Sequence, residues 1–329
     1  MGTDVITLKD VQEAKTRITP YIRRTPLLDE PAMNAALGCR IFLKPEMLQY
    51  VGAFKLRGAM NKILSLSEED RAKGIITSSS GNHAQACAFA GQVLGCKAVV
   101  VIPEDAPQVK IDNARAMGAE VILWERTYDA RWAKIAELVK EHGYVIVHPY
   151  QDPMVMAGQG TIGLEILEDV PDINTVLVPI GGGGLISGVA TAIKESNPDI
   201  RVIGVQAAAS AAYYDSRKAG HCVSVEPLPT VADGLSCRSA SEVNFSVIEK
   251  YVDEIVTVEE DEITEAVRFV ANKAKLIAEP SSCVGIAALM AGKVDVRPED
   301  KVAGILTAGN WNIEDIGRIL LGEAGRSVT

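Results

Sequence analysis

The stretch "VLVPIGGGGLISGVATAI", Val176 to Ile193, decides the fold. A run of mostly branched apolar residues ends at Ile180, four glycines follow, and a helical pattern begins near Leu185. The apolar run shows no polar alternation, as expected of a strand buried on both faces of a parallel sheet. Strand, glycine turn and helix make up half of a βαβ unit. Four successive glycines leave backbone N–H groups unobstructed by Cβ atoms, and the start of a helix adds positive potential. The pattern is that of a phosphate cradle. A flexible turn would use the same residues, but glycines wedged between buried elements carry a large entropy cost.

Working outward, apolar runs recur at 74–79, 98–103, 120–124, 144–149, 175–180, 201–206 and 301–308, with helical patterns such as 83–95 and 185–196 between them. This repetition predicts an open α/β fold with mostly parallel strands. Four of the runs crowd into one interval, so residues 68–151 are expected to form a small inserted α/β domain. Residues 1–67 and 152–329 then form the larger domain.

Composition narrows the function. The chain has 329 residues, 47% hydrophobic and 23% charged, with a formal net charge of −10. That acidic balance argues against a nucleic-acid partner, which needs a basic footprint. It leaves room for a small anionic ligand at a local site. No apolar run approaches the roughly 20 residues of a membrane-spanning helix, and the N-terminal stretch lacks the pattern of a secretion signal. Six cysteines form no C-x-x-C pair and read as reduced, packed thiols, which suggests a cytoplasmic protein. The four histidines make no metal-site spacing with one another or with cysteine, so no metal site is expected.

The glycine loop weakens two nucleotide readings. A P-loop needs Gly-Lys-Ser/Thr at its end, and no lysine follows here. A dinucleotide fingerprint expects an acidic residue after the next strand, where "RVIGVQ" ends in Gln206. A smaller phosphorylated cofactor fits better. Two further stretches place small polar residues at strand ends: "TSSSGNHAQA" (77–86) and "ILTAGNWN" (305–312). The first could bind a carboxylate or simply cap a helix. The second could be a plain turn. In "VGAFKLRGAM" (51–60), Lys55 stands among apolar and small residues, either with its amine in water or desolvated and reactive.

Taken in order, "GAFKLRGA", "SSSGNHAQA", "AGQGTIGLEI", "PIGGGGLISG", "VADGL" and "TAGN" resemble the pyridoxal-phosphate enzymes of fold type II (tryptophan synthase β-like), in the branch of serine/threonine dehydratases and serine racemases. The resemblance covers nearly the whole chain. It implies two open, mostly parallel sheets flanked by helices, with pyridoxal 5'-phosphate as cofactor. Lys55 matches the cofactor lysine and Phe54 the aromatic residue beside the ring. Gly181, Gly182, Gly183 and Gly184 match the phosphate site, Asn82 the ring-hydroxyl contact and Thr307 the partner of the pyridine nitrogen. Ser79, Gly81, Asn82 and His83 match positions that hold the substrate α-carboxylate, although His83 also suits helix capping and packing. Arg57 reads as structural.

The implied activity is that of an ammonia-lyase (dehydratase) acting on a β-hydroxy amino acid of the 3-hydroxyaspartate, serine or threonine type. A neutral threonine hydroxyl cannot hold a proton on the pyridine as a carboxylate would, which favours prompt elimination. Ser80 falls where racemase-like members carry a second acid/base, so a serine- or aspartate-type racemase is the alternative, with a β-replacement synthase behind it. Arg131 falls where an arginine lies near the substrate and could pair with a distal carboxylate, or it is a solvated helix residue. Gln206 stands where racemase-like members place a metal-binding glutamate, which again predicts no metal. A homodimer or higher homo-oligomer is expected, and the short stretch after "TAGN" leads to the expectation of no C-terminal regulatory domain.

Overall fold

The computed structural model describes residues 5–106 and 108–323. Ten strands form two sheets. They are β1 (Leu28–Asp29), β2 (Arg40–Pro45), β3 (Ile75–Ser78), β4 (Ala98–Pro103), β5 (Glu120–Trp124), β6 (Val145–Ile146), β7 (Thr175–Pro179), β8 (Arg201–Ala207), β9 (Glu254–Val258) and β10 (Lys301–Leu306). The six-stranded sheet has the order β1-β2-β10-β7-β8-β9, and the four-stranded sheet β5-β4-β3-β6. Every pairing is parallel except β1 with β2. This is the α/β architecture of two mostly parallel sheets flanked by helices. The four-stranded sheet draws only on residues 75–146.

The strands of continuous apolar sequence are the buried ones. β7 is buried along its whole length, and so is β8 after its first residue. Three strands lie outside the apolar runs read from sequence. β2, "RIFLKP", hides behind Arg40 and Lys44, yet Lys44 is fully buried, donating to Glu165 Oε2 at 2.6 Å and to Thr25 O at 2.7 Å. β9 is five residues hemmed by acidic neighbours, and β1 is a two-residue edge. The run at 144–149 yields only two strand residues. There the His148 ring accepts from the backbone N–H groups of Tyr150 and Gln151, turning the chain out of the sheet.

Three helices pack side by side with their backbones close together. Helix Pro153–Asp169 starts on an Asp152 cap and has Pro at its first position; most of it is buried. Its neighbour Gly184–Ser196 approaches so closely that a Cβ on Gly188 would lie 2.1 Å from Met156 O. On its other side lies Lys55–Leu64, whose third residue, Arg57, is fully buried. Arg57 pairs with Glu46 at 2.8 Å and Glu165 at 2.7 Å, and Glu165 pairs with Lys44 at 2.6 Å. Two cations and two anions thus neutralise one another in the core. The structural reading of Arg57 agrees with this placement.

Candidate active site

Ligand sites in open α/β sheets lie beyond the carboxyl ends of the strands, where turns expose backbone groups. Here the carboxyl ends of β3, β7 and β10 converge on one cavity of about 290 Å³. The loop after β7 contributes Gly181–Gly184, the loop after β3 contributes Ser79–His83, and Thr307 follows β10. Phe54 and Lys55 complete the set, the latter as the first residue of its helix. The backbone holds these two segments in register: Phe54 N–H donates to Thr307 O at 3.0 Å, and Gly309 N–H to Gly52 O at 3.0 Å.

Of the two environments open to Lys55, the fold provides the desolvated one. Its amine is turned inward, donating to Pro149 O at 3.0 Å and lying 5.1 Å from the centre of the Phe54 ring. Burial disfavours the ammonium form and pushes its pKa from 10.5 down to about 8. Such an amine is available as a nucleophile and base near neutral pH. One expectation follows for the cofactor-free protein. The rate at which pyridoxal phosphate couples to Lys55 should rise with pH as the amine loses its proton and level off above about 8. A rise continuing to pH 10 would show an ordinary, solvated lysine.

The glycine loop fits a phosphate. Among the described residues no protein acceptor takes the N–H of Gly181, Gly182 or Gly183. The wall behind the loop excludes side chains: a Cβ on Gly182 would sit 2.4 Å from the Tyr150 ring. At the far end of the cavity the Thr307 hydroxyl meets Ser282 Oγ at 2.9 Å, a neutral pair. Asn82 donates from Nδ2 to both Glu279 oxygens, at 3.3 and 3.2 Å, and accepts from Asn310 Nδ2 at 2.9 Å. Its amide is therefore fixed in orientation.

His83 behaves differently from a carboxylate ligand. Its side chain is only 2% exposed, and Nε2 donates to Val147 O at 2.9 Å. Burial and the nearby Lys55 charge push its pKa down to about 3, so the ring is neutral. What this residue offers an anion is its backbone N–H in the first turn of helix Asn82–Leu94. Ser79, Ser80 and Gly81 line the cavity. Arg131 does not. It sits behind the loop, with Nε donating to Ser78 Oγ at 3.0 Å and a second contact to Arg126 O. Gln206 is occupied within the protein, donating to Ser210 O at 3.3 Å and accepting from Tyr214 N–H at 2.8 Å.

Several wall residues carry no local sequence signal. Glu279 caps a helix, and Tyr150 lies just past a strand expected to be longer. Cys237, read from sequence as a packed thiol, in fact faces the cavity, and burial raises its pKa. Only "VADGL" hinted at this side of the site, since Asp233 and Leu235 line it too.

Comparison with known proteins decides the family. Residues 18–308 match the model for pyridoxal-phosphate dependent enzymes. The chain belongs to that family. Pyridoxal phosphate is accordingly its cofactor, and the cavity has the groups to hold it. Among members of the pyridoxal-phosphate dependent enzymes, the L-threonine ammonia-lyase of Thermotoga maritima is 44% identical over 98% of this chain and 81% of its own length. Among solved structures of the same fold, serine racemase from Dictyostelium discoideum superposes with a TM-score of 0.89 at 38% identity, covering 94% of this chain and 99% of that one. A threonine deaminase from T.th. gives 0.87 at 40% identity, covering 93% and 99%. Among the described residues no helix is long and apolar enough to cross a membrane.

Proposed function

We propose that this pyridoxal-phosphate dependent enzyme is an ammonia-lyase that removes water from a neutral β-hydroxy amino acid of the serine or threonine type, giving a 2-oxo acid and ammonia. The observation that carries the reading is the Lys55 amine, with its pKa lowered to about 8, in one cavity with a free-amide glycine loop and a neutral Thr307. The threonine ammonia-lyase relative supports it.

Pyridoxal phosphate, when bound, supplies the electron sink for the bond-breaking at Cα. The chain supplies the rest. Gly181–Gly184 would hold the cofactor's phosphate, Phe54 would lie beside its ring, and Thr307 would offer the pyridine nitrogen a neutral partner. The N–H groups and hydroxyls of Ser79–His83 hold the substrate carboxylate beside Lys55. The Lys55 amine, once free, takes the Cα proton as general base. The β-hydroxyl leaves as water, the proton taken from Cα balancing the departing hydroxide, and the released enamine takes up water to give the 2-oxo acid and ammonia.

The cavity wall favours a neutral side chain. Its lining includes Glu279 and Asp233 and brings no arginine to a second substrate carboxylate. Arg131, the residue that would pair with it, is engaged elsewhere. A 3-hydroxyaspartate substrate therefore has weaker support. Racemisation keeps one supporting observation, since Ser80 lines the same cavity as Lys55. The enzyme should be incubated with L-threonine, L-serine and 3-hydroxyaspartate, and both 2-oxo acid and D-enantiomer measured. We expect kcat/KM for threonine or serine to exceed that for 3-hydroxyaspartate by at least about tenfold, with 2-oxo acid as the main product. Preference for 3-hydroxyaspartate would restore Arg131 as a substrate ligand. D-Enantiomer as main product would make the protein a racemase.

A further inference from the structure

The glycine loop poses a problem that glycine alone does not solve. Glycines let the backbone approach an anion, but they leave the peptide planes free to turn either face toward it. A cradle needs N–H groups inward and carbonyls outward. Something must fix the planes.

In the peptide joining Gly182 to Gly183 that group is visible. The Tyr213 hydroxyl donates to Gly182 O at 2.9 Å. The same oxygen of Tyr213 accepts the backbone N–H of Ser241 at 3.1 Å. A phenol has one proton. With an N–H already directed at its oxygen, that proton goes to Gly182 O. Tyr213 lies in helix Ala212–Ala219 and is fully buried behind the loop, whereas Gly183 lines the cavity. In a trans peptide, C=O and N–H point in opposite directions. Holding the Gly182 carbonyl back against Tyr213 therefore turns the Gly183 N–H forward.

We propose that Tyr213 is a positioning residue for cofactor binding, aiming the Gly183 amide at the phosphate. The inference rests on the reading of Gly181–Gly184 as the phosphate site. Two further features agree. Gly183 has φ +89°, a conformation that L side chains rarely adopt, and a Cβ there would lie 2.6 Å from the Tyr213 oxygen. The tyrosine thus sits where only glycine leaves room for it. The chain Ser241 N–H to Tyr213 O–H to Gly182 C=O also runs in one direction, and aligned hydrogen bonds polarise one another, which strengthens the Gly183 N–H as a donor.

The test compares two ligands that differ only in the phosphate. Cofactor-free enzyme is titrated with pyridoxal phosphate and with pyridoxal, following absorbance, for the native protein, Tyr213→Phe and Gly183→Ala. Tyr213→Phe should weaken pyridoxal phosphate about tenfold to a hundredfold, as expected for loss of a well-aimed hydrogen bond to a charged group. It should change pyridoxal affinity less than about threefold by the same reasoning. Equal losses for both ligands would mean Tyr213 only supports the fold. Gly183→Ala should weaken pyridoxal phosphate selectively. If it does and Tyr213→Phe does not, the positioning role is wrong and the phosphate site stands. If Gly183→Ala fails to separate the ligands, the phosphate reading fails and this proposal with it. Should Tyr213→Phe not fold, Ser241→Pro removes the N–H that directs the hydroxyl proton. A selective loss of pyridoxal phosphate there supports the role, and an unselective one overturns it.

Discussion

Lys55→Ala is expected to abolish turnover while leaving the fold intact. The lysine has two tasks in the proposed reaction, as the covalent anchor of the cofactor and as the base at Cα. Loss of a positioned base alone is worth about a hundredfold to ten-thousandfold in rate. Loss of the anchor acts on top of that, because the cofactor is then held only by the glycine loop and ring contacts. The residue lies at the start of its helix, with its amine on Pro149 O and, among the described residues, no ion pair. Shortening it therefore removes chemistry without stranding a buried charge. 2-Oxo acid formation from threonine or serine measures the effect, with circular dichroism as control. Activity within tenfold of the native enzyme would remove Lys55 from both tasks.

The opposite outcome is expected two residues further on. Arg57→Ala should leave the catalytic groups in place and damage the fold. Its guanidinium lies between Glu46 and Glu165, all three being nearly or fully buried. With Arg57 present, the group of Arg57, Lys44, Glu46 and Glu165 is neutral. Without it, a carboxylate is left unpaired in the core. Breaking a buried pair by removing one partner costs about 3–5 kcal/mol, a large share of a typical stability of about 5–15 kcal/mol. Burial alone would raise the Glu165 pKa, but Arg57 and Lys44 outweigh it and hold the carboxyl below its usual range. The sign follows: the stability from Glu165 is full above the unfolded carboxyl pKa of about 4.3 and is lost as pH falls through the lower folded value. Denaturant titration of both proteins at neutral pH measures the loss. A difference under about 1 kcal/mol would mean the cluster is worth no more than a surface pair.

What could be read from the sequence follows from how local each signal is. The glycine loop, the Ser-Gly-Asn-His turn and Lys55 are legible because each is a short segment whose residue types only make sense at a strand end or a helix start. The buried strands were legible for the same reason, being continuous apolar runs. β2 was not, because Lys44 looks like a surface residue until Glu165, far along the chain, is brought to it. Tyr213 and Glu279 were hidden similarly. Each occupies an ordinary helical sequence and gains meaning only when folding sets it against Gly182 or Asn82. Arg131 shows the reverse. A motif match placed it near substrate, and in this structure its guanidinium instead braces the strand end at Ser78.

In the proposed reaction the cofactor joins this chain at Lys55, in the cavity where β3, β7 and β10 end. The most direct test is chemical. The holoenzyme is reduced with borohydride, digested and analysed by mass spectrometry for the phosphopyridoxyl adduct. One modified peptide is expected, carrying the adduct on Lys55. An adduct on any other lysine, or none on Lys55 in an active preparation, would contradict that attachment.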